Sequence, residues 1–361
     1  MLIFCLLLLL APATEAFVPH PPKRPSSKLG LDKGFNLLEN ASRIIPQGQI
    51  VNTAKETWKF VWKRMMAELA PQDKTGSYQR PAYTFMGKIE NEPGRYHLYV
   101  GNPCPWCHRA QLVLALRGIS REEIGMTHLV DDPVKASRGG WIFSQPDPDY
   151  DCRDLRELYD RLSPGYKGRC TAPLLIDKKT NKIVSNESSD IVRMLNDFGG
   201  PSQDRIDLYP LDLQKTIDET NEWIYTLLNN GVYQCGFSTT QRAYDEASAN
   251  VRQGLERCEQ LLSNQPYLCG SRFTEADLRL LPTALRFDGV YAPLFRAGGA
   301  HLRIRDYPSL HAWLKRCWKI PGVPETIDLA DANVSYYKQL FPLNPGGILP
   351  TRVTAASLGL E

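Results

Sequence analysis

A Cys-Pro-Trp-Cys sequence at residues 104–107 places two thiols one helical turn apart. Residues 95–100, just upstream, alternate polar and apolar side chains as a short strand does, and residues 110–116 downstream show an apolar helical pattern. Cys104 is therefore expected in a strand-to-helix turn. Pro105 suits the first position of the helix, where its missing N–H leaves no hydrogen bond unmade.

This position at a helix start affects the chemistry of Cys104. The free N–H groups and the partial positive charge of a helix N-terminus favour a thiolate over a thiol, which lowers the pKa of Cys104. A thiolate is the attacking species in disulfide exchange. Cys104 is thus the predicted nucleophile, Cys107 is the candidate resolving thiol, and the expected substrate is a thiol or a disulfide.

Two structural explanations of the Cys-x-x-Cys spacing fit the sequence less well. A zinc site usually joins two such pairs, and the other cysteines contain no second pair. A purely structural disulfide at this spacing would be strained and easily reduced. We therefore expect a redox or thiol-transfer site and no bound metal. The other cysteines are Cys5, Cys152, Cys170, Cys235, Cys258, Cys269 and Cys317.

The composition limits the class of protein. With 361 residues, of which 42% are hydrophobic and 23% charged, the chain has the size of two compact globular domains. Its formal net charge of +3 predicts no nucleic-acid partner. The nine cysteines are odd in number and mostly isolated, which suits a reducing compartment better than the cell exterior.

The N-terminus is predicted to be a targeting sequence. Residues 2–10 form an apolar run of signal-peptide length, and a small residue, Ala16, marks the expected cleavage site, which gives a signal peptide over residues 1–16. Residues 17–31 contain basic residues and prolines but no acid. That composition is typical of a transit peptide, so residues 17–50 are interpreted as a transit peptide or leader.

The two parts together resemble the bipartite plastid presequence of algae whose plastids derive from a red alga, in which an aromatic residue such as Phe17 follows the cleavage site. The predicted location is therefore the plastid. The secretory pathway is the alternative, which the many isolated cysteines disfavour. No later stretch is apolar for long enough to span a membrane, so no mature membrane anchor is expected.

The remaining chain divides into an α/β part and an all-α part. Residues 51–79 form an extension with a helix predicted over residues 56–69. A thioredoxin-like domain is predicted over residues 80–205, because strand, helix and strand are followed by a hairpin and another helix. Strand signals then vanish, which predicts an all-helical domain over residues 206–345 and a tail over 346–361.

A glycine- and proline-rich insertion at residues 131–151 interrupts the thioredoxin-like pattern and is long enough to be functional. The helices expected in the second domain cover residues 211–230, 239–262, 274–287 and 307–319.

Several short elements follow one another in order between about residue 78 and residue 351. In this order they resemble the S-glutathionyl-hydroquinone reductases, the Xi class of the omega-like glutathione transferases, which join a thioredoxin-like domain to a helical one. The elements are Gly94-Arg95-Tyr96-His97-Leu98-Tyr99, Cys104-Pro105-Trp106, Gly139-Gly140-Trp141, Arg169 to Pro173, Asn186-Glu187-Ser188, Asn230-Gly231-Val232-Tyr233, Arg286-Phe287-Asp288, Tyr336-Tyr337 and residues 344–350.

The resemblance implies a glutathione site around Cys104, which accepts the glutathionyl group. Trp141 is expected to pack on glutathione, and Glu187 and Ser188, at the start of their helix, to hold its γ-glutamyl end. A cis peptide bond before Pro173 is expected to expose a strand edge with which an extended tripeptide pairs. The residues expected to line the glutathione backbone are Arg169, Cys170, Thr171, Ala172 and Pro173.

The resemblance also implies three functional tyrosines. Tyr233 corresponds to the acid/base residue beside the phenolic substrate, and Tyr291 and Tyr336 to tyrosines that help lower the pKa of the cysteine, since a phenol can donate a hydrogen bond to a thiolate. The residue before Tyr336 is Ser335, where the family often has a His. Tyr337 is therefore the alternative to Tyr336 for this role.

The activity implied is the reduction of a glutathionyl-hydroquinone by a homodimer with glutathione as co-substrate. Cys104 attacks the glutathione sulfur, the hydroquinone leaves as its carbon is protonated with help from Tyr233, and a second glutathione removes the first as glutathione disulfide. Cys107 stands where most members have a small residue, so a dithiol glutaredoxin or deglutathionylase is one alternative. A non-catalytic binding module of the same fold is the other.

Overall fold

The computed structural model describes residues 44–200 and 205–361. The predicted signal peptide and most of the predicted transit peptide lie outside these residues. The chain divides into two units, residues 1–59 and residues 60–361, and the sheet and every predicted site residue belong to the second.

Helix α1 (Gln47–Leu69) is longer than the helix predicted over residues 56–69, so the predicted boundary after residue 50 falls inside a helix. Its C-terminal end is held by the guanidinium of Arg169, which donates to the carbonyls of Glu68 at 2.8 Å and Leu69 at 2.9 Å. Such contacts satisfy carbonyls that a helix end leaves unpaired.

The thioredoxin-like half is built on a five-stranded sheet in the order β3-β2-β1-β4-β5. Its central strand β1 is parallel to β2 and antiparallel to β4, and all six residues of β1 are buried. The turn with Cys104 leaves the end of this strand and is therefore anchored in the middle of the sheet. The strands are β1 (Tyr96–Gly101), β2 (Ile124–Asp131), β3 (Trp141–Phe143), β4 (Leu174–Asp177) and β5 (Lys182–Ser185).

Helix α2 (Pro105–Leu116) follows Cys104 as the sequence predicts, with Pro105 at its first position. Nearly all of its side chains as far as Leu114 are buried, because the helix packs against both the thioredoxin-like domain and the helical domain. A helix buried on all sides cannot shift without disturbing both domains. The position of Cys104 is fixed accordingly.

Helix α3 (Leu155–Leu162) is an element that the sequence analysis missed. Asp154 caps its N-terminus by accepting a hydrogen bond from the N–H of Glu157 at 2.9 Å. Its apolar residues recur at the spacing of one helix face, a signal that the neighbouring glycine- and proline-rich insertion obscured. Helix α4 (Ser188–Asp197) then completes the thioredoxin-like order.

The second half of the chain is helical, as predicted. Helix α5 continues into a π-helical turn, Tyr225–Asn229, and α8 into another, Phe287–Tyr291. The short helices α6 and α10 were not predicted from the sequence. The helices are α5 (Gln214–Ile224), α6 (Gly231–Phe237), α7 (Gln241–Leu262), α8 (Glu275–Arg286), α9 (Pro308–Trp318) and α10 (Leu329–Gln339).

A capping box opens α8 and lies inside the core. The carboxylate of Asp277 accepts from the N–H of Thr274 at 3.0 Å, from the N–H of Leu268 at 2.9 Å and from the indole of Trp313 at 2.8 Å. One buried carboxylate thus satisfies donors from three segments of the helical domain.

Replacing Asp277 with Ala should leave these buried donors without an acceptor. Each such donor costs about 1–3 kcal/mol, so we expect the free energy of unfolding to fall by about 2–5 kcal/mol, measured by urea denaturation. Asp245→Ala, at an exposed position of α7, is the matched control and should change the free energy of unfolding by less than about 0.5 kcal/mol. Equal losses in the two variants would contradict the role of Asp277.

Candidate active site

Cys104 is the N-cap residue of α2 and has an extended backbone conformation that turns the chain from β1 into the helix. Its sulfur accepts a hydrogen bond from the N–H of Cys107 at 3.4 Å, and its thiol donates to the carbonyl of Ala172 at 3.6 Å. Cys104 is half-buried, whereas Cys107 is fully buried. The two thiols therefore differ in their access to a substrate.

These surroundings shift the pKa values of the two thiols in opposite directions. Burial raises the pKa of Cys104, but the Cys107 thiol, the N–H groups of Cys107 and Trp106, and the charge of Arg286 outweigh burial and lower it. Burial, together with the neighbouring Cys104, raises the pKa of Cys107 well above that of an ordinary thiol. Cys104 is thus the thiolate of the pair.

The fully buried guanidinium of Arg286, at the end of α8, holds the backbone just before Cys104. It donates to the carbonyls of Asn102 and Pro103, each at 2.9 Å, and its Nη1 lies 3.2 Å from Nδ1 of His108. These contacts join the helical domain to the turn that carries the nucleophile.

The tautomer of the buried His108 follows from its two partners. A guanidinium can only donate, so Nδ1 of His108 accepts from Arg286 and Nε2 carries the proton. Nε2 donates to the hydroxyl of Thr326 at 2.8 Å, which donates to the carbonyl of Val323 at 2.6 Å. Burial and the charge of Arg286 lower the pKa of His108 well below its usual value, so the ring is neutral.

Three tyrosines of the helical domain form a closed triangle of hydrogen bonds. The hydroxyl of Tyr233 lies 2.7 Å from that of Tyr336 and 3.3 Å from that of Tyr291, and the last two are 3.1 Å apart. Burial above all raises the pKa of each, so all three are phenols at neutral pH. Tyr337 instead donates to the carbonyl of Gly289, so Tyr336 is the member of this cluster.

The tyrosine cluster adjoins the Cys104 turn. Burial raises the pKa of Tyr291, the charge of Arg286 and the hydrogen bonds with Tyr233 and Tyr336 lower it, and the nearby Cys104 thiolate adds a small further rise. The Trp106 ring stacks on that of Tyr233 with centroids 6.3 Å apart, and Phe295 packs against all three tyrosines. The thiolate therefore lies near an aromatic cluster in which the polar groups are neutral hydroxyls.

Trp106 is held between two guanidinium groups. Arg80 and Arg109 place their Cζ atoms 4.3 Å and 4.5 Å from its ring centroid, at cation–π distance. Arg109 is buried and donates to the side-chain oxygen of Asn229 at 2.6 Å, and burial lowers its pKa to about 9. Arg80 also pairs with Glu187, with 2.9 Å between Nη2 and Oε2.

Glu187 and Ser188, the predicted γ-glutamyl residues, lie together at the start of α4. Glu187 is the N-cap residue, and its Oε1 accepts from the N–H and the hydroxyl of Ser189, each at 3.2 Å. The hydroxyl of Ser188 lies 3.5 Å from Nη1 of Arg109. The N-terminus of α4 therefore offers both N–H groups and a carboxylate to a ligand.

A cavity of about 460 Å³ opens beside Glu187, and helices of both domains line it. Its walls carry guanidinium groups and carboxylates in equal number, so a zwitterion would find partners for both of its charges. The basic residues are Arg80, Arg109, Arg193 and Arg279, and the acidic ones are Glu187, Asp190, Asp218 and Glu222.

Trp141, the first residue of β3, lies over Gly101 at the end of β1. A Cβ atom at Gly101 would meet Cζ3 of Trp141 at 2.3 Å, so the ring takes this place because residue 101 is a glycine. Trp141 pairs with Asp131 of β2, whose carboxylate accepts from the hydroxyl of Ser335 on α10. This network places Trp141 close to the Cys104 turn.

The segment before β4 runs alongside Cys104. The Ala172–Pro173 peptide is cis, as predicted, and the carbonyl of Ala172 accepts the hydrogen bond from the Cys104 thiol. Thr171 and the half-buried Cys170 precede it, with Thr171 exposed. Arg169, although predicted to line the same site, is engaged by the end of α1.

Three residues that hold the site together were missed from sequence. Arg286 lies in an element that carries the resemblance and His108 follows another by two residues, but no pattern shows that they meet across 178 positions of the chain. Arg80 lies in a segment without regular secondary structure, and no sequence signal marks it as a partner of Glu187.

Within residues 44–200 and 205–361, no group of three or more His, Cys, Asp or Glu side chains is placed to hold a metal ion. All eight cysteines in these ranges are free thiols. The helices described there include none that is long and apolar enough to cross a membrane. The chemistry that the geometry offers is that of a thiolate beside neutral phenols.

Two family descriptions match the chain: "Glutathione S-transferase, N-terminal domain" over residues 103–197 and "Glutathione S-transferase, C-terminal domain" over residues 241–316. The chain is 41% identical over 276 residues to the glutathionyl-hydroquinone reductase YqjG of Escherichia coli, a match that covers 74% of this chain and 82% of the relative. It is 38% identical over 285 residues to the glutathionyl-hydroquinone reductase PcpF of Sphingobium chlorophenolicum, covering 76% and 89%.

Solved structures agree with these matches. The glutathione transferase Xi of Phanerochaete chrysosporium superposes with a TM-score of 0.70 at 38% identity and covers 76% of this chain and 97% of its own. Glutathione-bound YqjG superposes with a TM-score of 0.68 at 37% identity and covers 78% and 95%. The chain therefore belongs to the glutathione transferase family, in the Xi-class branch that includes the glutathionyl-hydroquinone reductases.

Proposed function

We propose that this protein reduces S-glutathionyl-hydroquinones with glutathione, releasing the hydroquinone and glutathione disulfide. The observation that carries the proposal is that a Cys104 thiolate adjoins a cluster of protonated tyrosines. A thiolate suits attack on the glutathione sulfur, and a phenol suits protonation of the aromatic carbon that loses that sulfur. The relatives named as glutathionyl-hydroquinone reductases support the same activity.

In the first step, the Cys104 thiolate forms a bond to the glutathione sulfur as the bond from that sulfur to the ring carbon breaks. The electron pair of the broken bond stays on the ring carbon, which takes a proton supplied through Tyr233. The products are the hydroquinone and a Cys104–glutathione mixed disulfide. The carbon is reduced, and the two sulfurs together are oxidised.

In the second step, a glutathione thiolate attacks the mixed disulfide at the glutathione sulfur. Cys104 leaves as a thiolate, and its lowered pKa makes it a good leaving group. One substrate and one glutathione thus give one hydroquinone and one glutathione disulfide.

The γ-glutamyl group of glutathione belongs at the start of α4 in this proposal. Its α-carboxylate and α-ammonium suit a cavity whose walls carry both signs of charge beside Glu187 and Ser188. In the same proposal, Trp141 and the Thr171–Ala172 segment contact the rest of the tripeptide. The phenolic ring of the substrate then faces Tyr233.

Cys107 is not required by this mechanism. It is fully buried and its thiol pKa is raised, so it is a poor nucleophile at neutral pH. These properties disfavour the dithiol alternative.

We further propose that the protein acts in the plastid and is a homodimer. The signal-peptide and transit-peptide patterns of residues 1–50 support the location, and the family resemblance supports the dimer. A fusion of residues 1–50 to a fluorescent protein should enter the plastid in an alga with a red-derived plastid. Appearance of the fusion in the medium would indicate secretion.

Light scattering after gel filtration should give the mass of two chains, and the mass of one chain would contradict the dimer.

Cys104→Ser should abolish hydroquinone reduction, since a serine hydroxyl cannot form the mixed disulfide. Cys107→Ser should retain activity within about threefold, because the reaction uses a single cysteine. Mass spectrometry after incubation with a glutathionyl-hydroquinone should find the glutathione adduct on Cys104. Activity in Cys104→Ser would disprove the mechanism, and loss in Cys107→Ser would favour the dithiol route.

Tyr233→Phe should lower kcat by about 10²-fold or more, because general-acid catalysis typically contributes 10²–10⁴-fold. Tyr337→Phe removes a hydroxyl that lies outside the triangle and is the matched control, with kcat expected to stay within about threefold. Steady-state kinetics on one glutathionyl-hydroquinone tests both variants. Equal kcat values for Tyr233→Phe and the wild type would remove Tyr233 from the mechanism.

Gly101→Ala should weaken glutathione binding, because the new methyl group would displace the Trp141 ring from its place over β1. Gly140→Ala adds the same methyl group one residue before Trp141, where the nearest atom is 3.9 Å away, and should leave the affinity unchanged. Titration calorimetry gives both dissociation constants. Unchanged affinity in Gly101→Ala would show that the Trp141 position does not matter for glutathione.

A further inference from the structure

The buried guanidinium of Arg286 forms no salt bridge with a carboxylate of residues 44–200 or 205–361. Its partners are the carbonyls of Asn102, Pro103 and Pro282 and the neutral ring of His108. These groups satisfy its N–H donors but leave its positive charge in place. Burying an unpaired charge is costly, so an anion nearby would gain much from it.

The surroundings of Cys104 identify that anion. The sulfur accepts from the N–H of Cys107, the thiol donates to the carbonyl of Ala172, and its charge acts on the nearby phenol of Tyr291 in the helical domain. None of these three carries a positive charge at neutral pH. Arg286 brings its cation to the same turn through the carbonyl of Pro103, the residue before Cys104.

We propose that Arg286 is a positioning residue that fixes the backbone ahead of Cys104 and provides the counter-charge for its thiolate. His108 has a defined part in this device. Because it accepts from Arg286 through Nδ1 while donating from Nε2 to Thr326, it orients the guanidinium without neutralising it. The inference goes beyond the proposed function, and it depends on that function only in taking Cys104 as the reacting thiol.

The rate at which iodoacetamide alkylates Cys104, followed by peptide mass spectrometry from pH 5 to pH 10, tests the proposal without any hydroquinone. The midpoint of the pH profile reports the pKa of this one thiol. Arg286→Gln should raise the midpoint by about one to two units, because a nearby opposite charge shifts a pKa by that order. Arg286→Lys keeps the charge and should hold the midpoint within about half a unit of wild type.

Arg117→Gln is the matched control. Arg117 is a buried arginine at the other end of α2 whose guanidinium likewise donates to three carbonyls, those of Phe198, Gly200 and Ile206. Its loss removes the same type of group far from Cys104 and should leave the midpoint unchanged. The proposal is overturned if Arg286→Gln moves the midpoint no further than Arg117→Gln, or if Arg286→Lys moves it as far as Arg286→Gln.

A second pair of variants leaves Arg286 in place and changes the charge of the residue next to its guanidinium. This pair tests the role of the guanidinium charge even if Arg286→Gln does not fold. His108→Glu places a carboxylate against the guanidinium and should raise the Cys104 midpoint, whereas His108→Gln stays neutral and should not. Equal midpoints in this pair would overturn the proposal. Because alkylation needs no hydroquinone, a wild-type protein that fails to reduce glutathionyl-hydroquinones would refute the proposed function and leave this result standing.

Discussion

The structure around the nucleophile depends on a single guanidinium, that of Arg286, which binds the two carbonyls just before Cys104. The thioredoxin-like domain alone leaves those carbonyls at the end of its central strand, facing the other domain. Arg286 satisfies them from the end of α8, and the π-helical turn that follows ends at Tyr291, a member of the tyrosine triangle. One helix end therefore fixes both the turn and part of the tyrosine cluster beside it.

Electrostatic surroundings give different pKa values to side chains that are chemically alike. Burial alone would raise the pKa of both thiols. For Cys104, the Cys107 thiol, helix N–H groups and the charge of Arg286 outweigh burial, whereas for Cys107 burial and the neighbouring Cys104 outweigh the charge of Arg286. The three phenols are buried with each other as partners, so each hydroxyl keeps its proton. The site thus contains one acidified thiol among groups that resist ionisation.

Local features of this site could be read from the sequence, because they are encoded within a few residues of one another. Pro105 at the first helical position, the acids and hydroxyls at the start of α4 and the capping box of α8 are of this kind. The Arg286 contacts could not be read, since they join residues 183 and 184 positions apart. Helix α6 is short and begins with a glycine, so helix propensity alone does not predict it. Packing against neighbouring helices stabilises it instead.

Because a residue of the helical domain completes the backbone around Cys104, the two halves are not interchangeable modules. A small thioredoxin fold usually carries its reactive cysteine as a self-sufficient unit, but here an excised first domain would expose the carbonyls of Asn102 and Pro103 and lose the cation beside them. A chimera with the helical domain of a distant relative would work only if that domain ended its corresponding helix in an arginine. A substitution at the Cys104 turn is therefore expected to depend on the residue at the end of α8, although the two lie far apart along the chain.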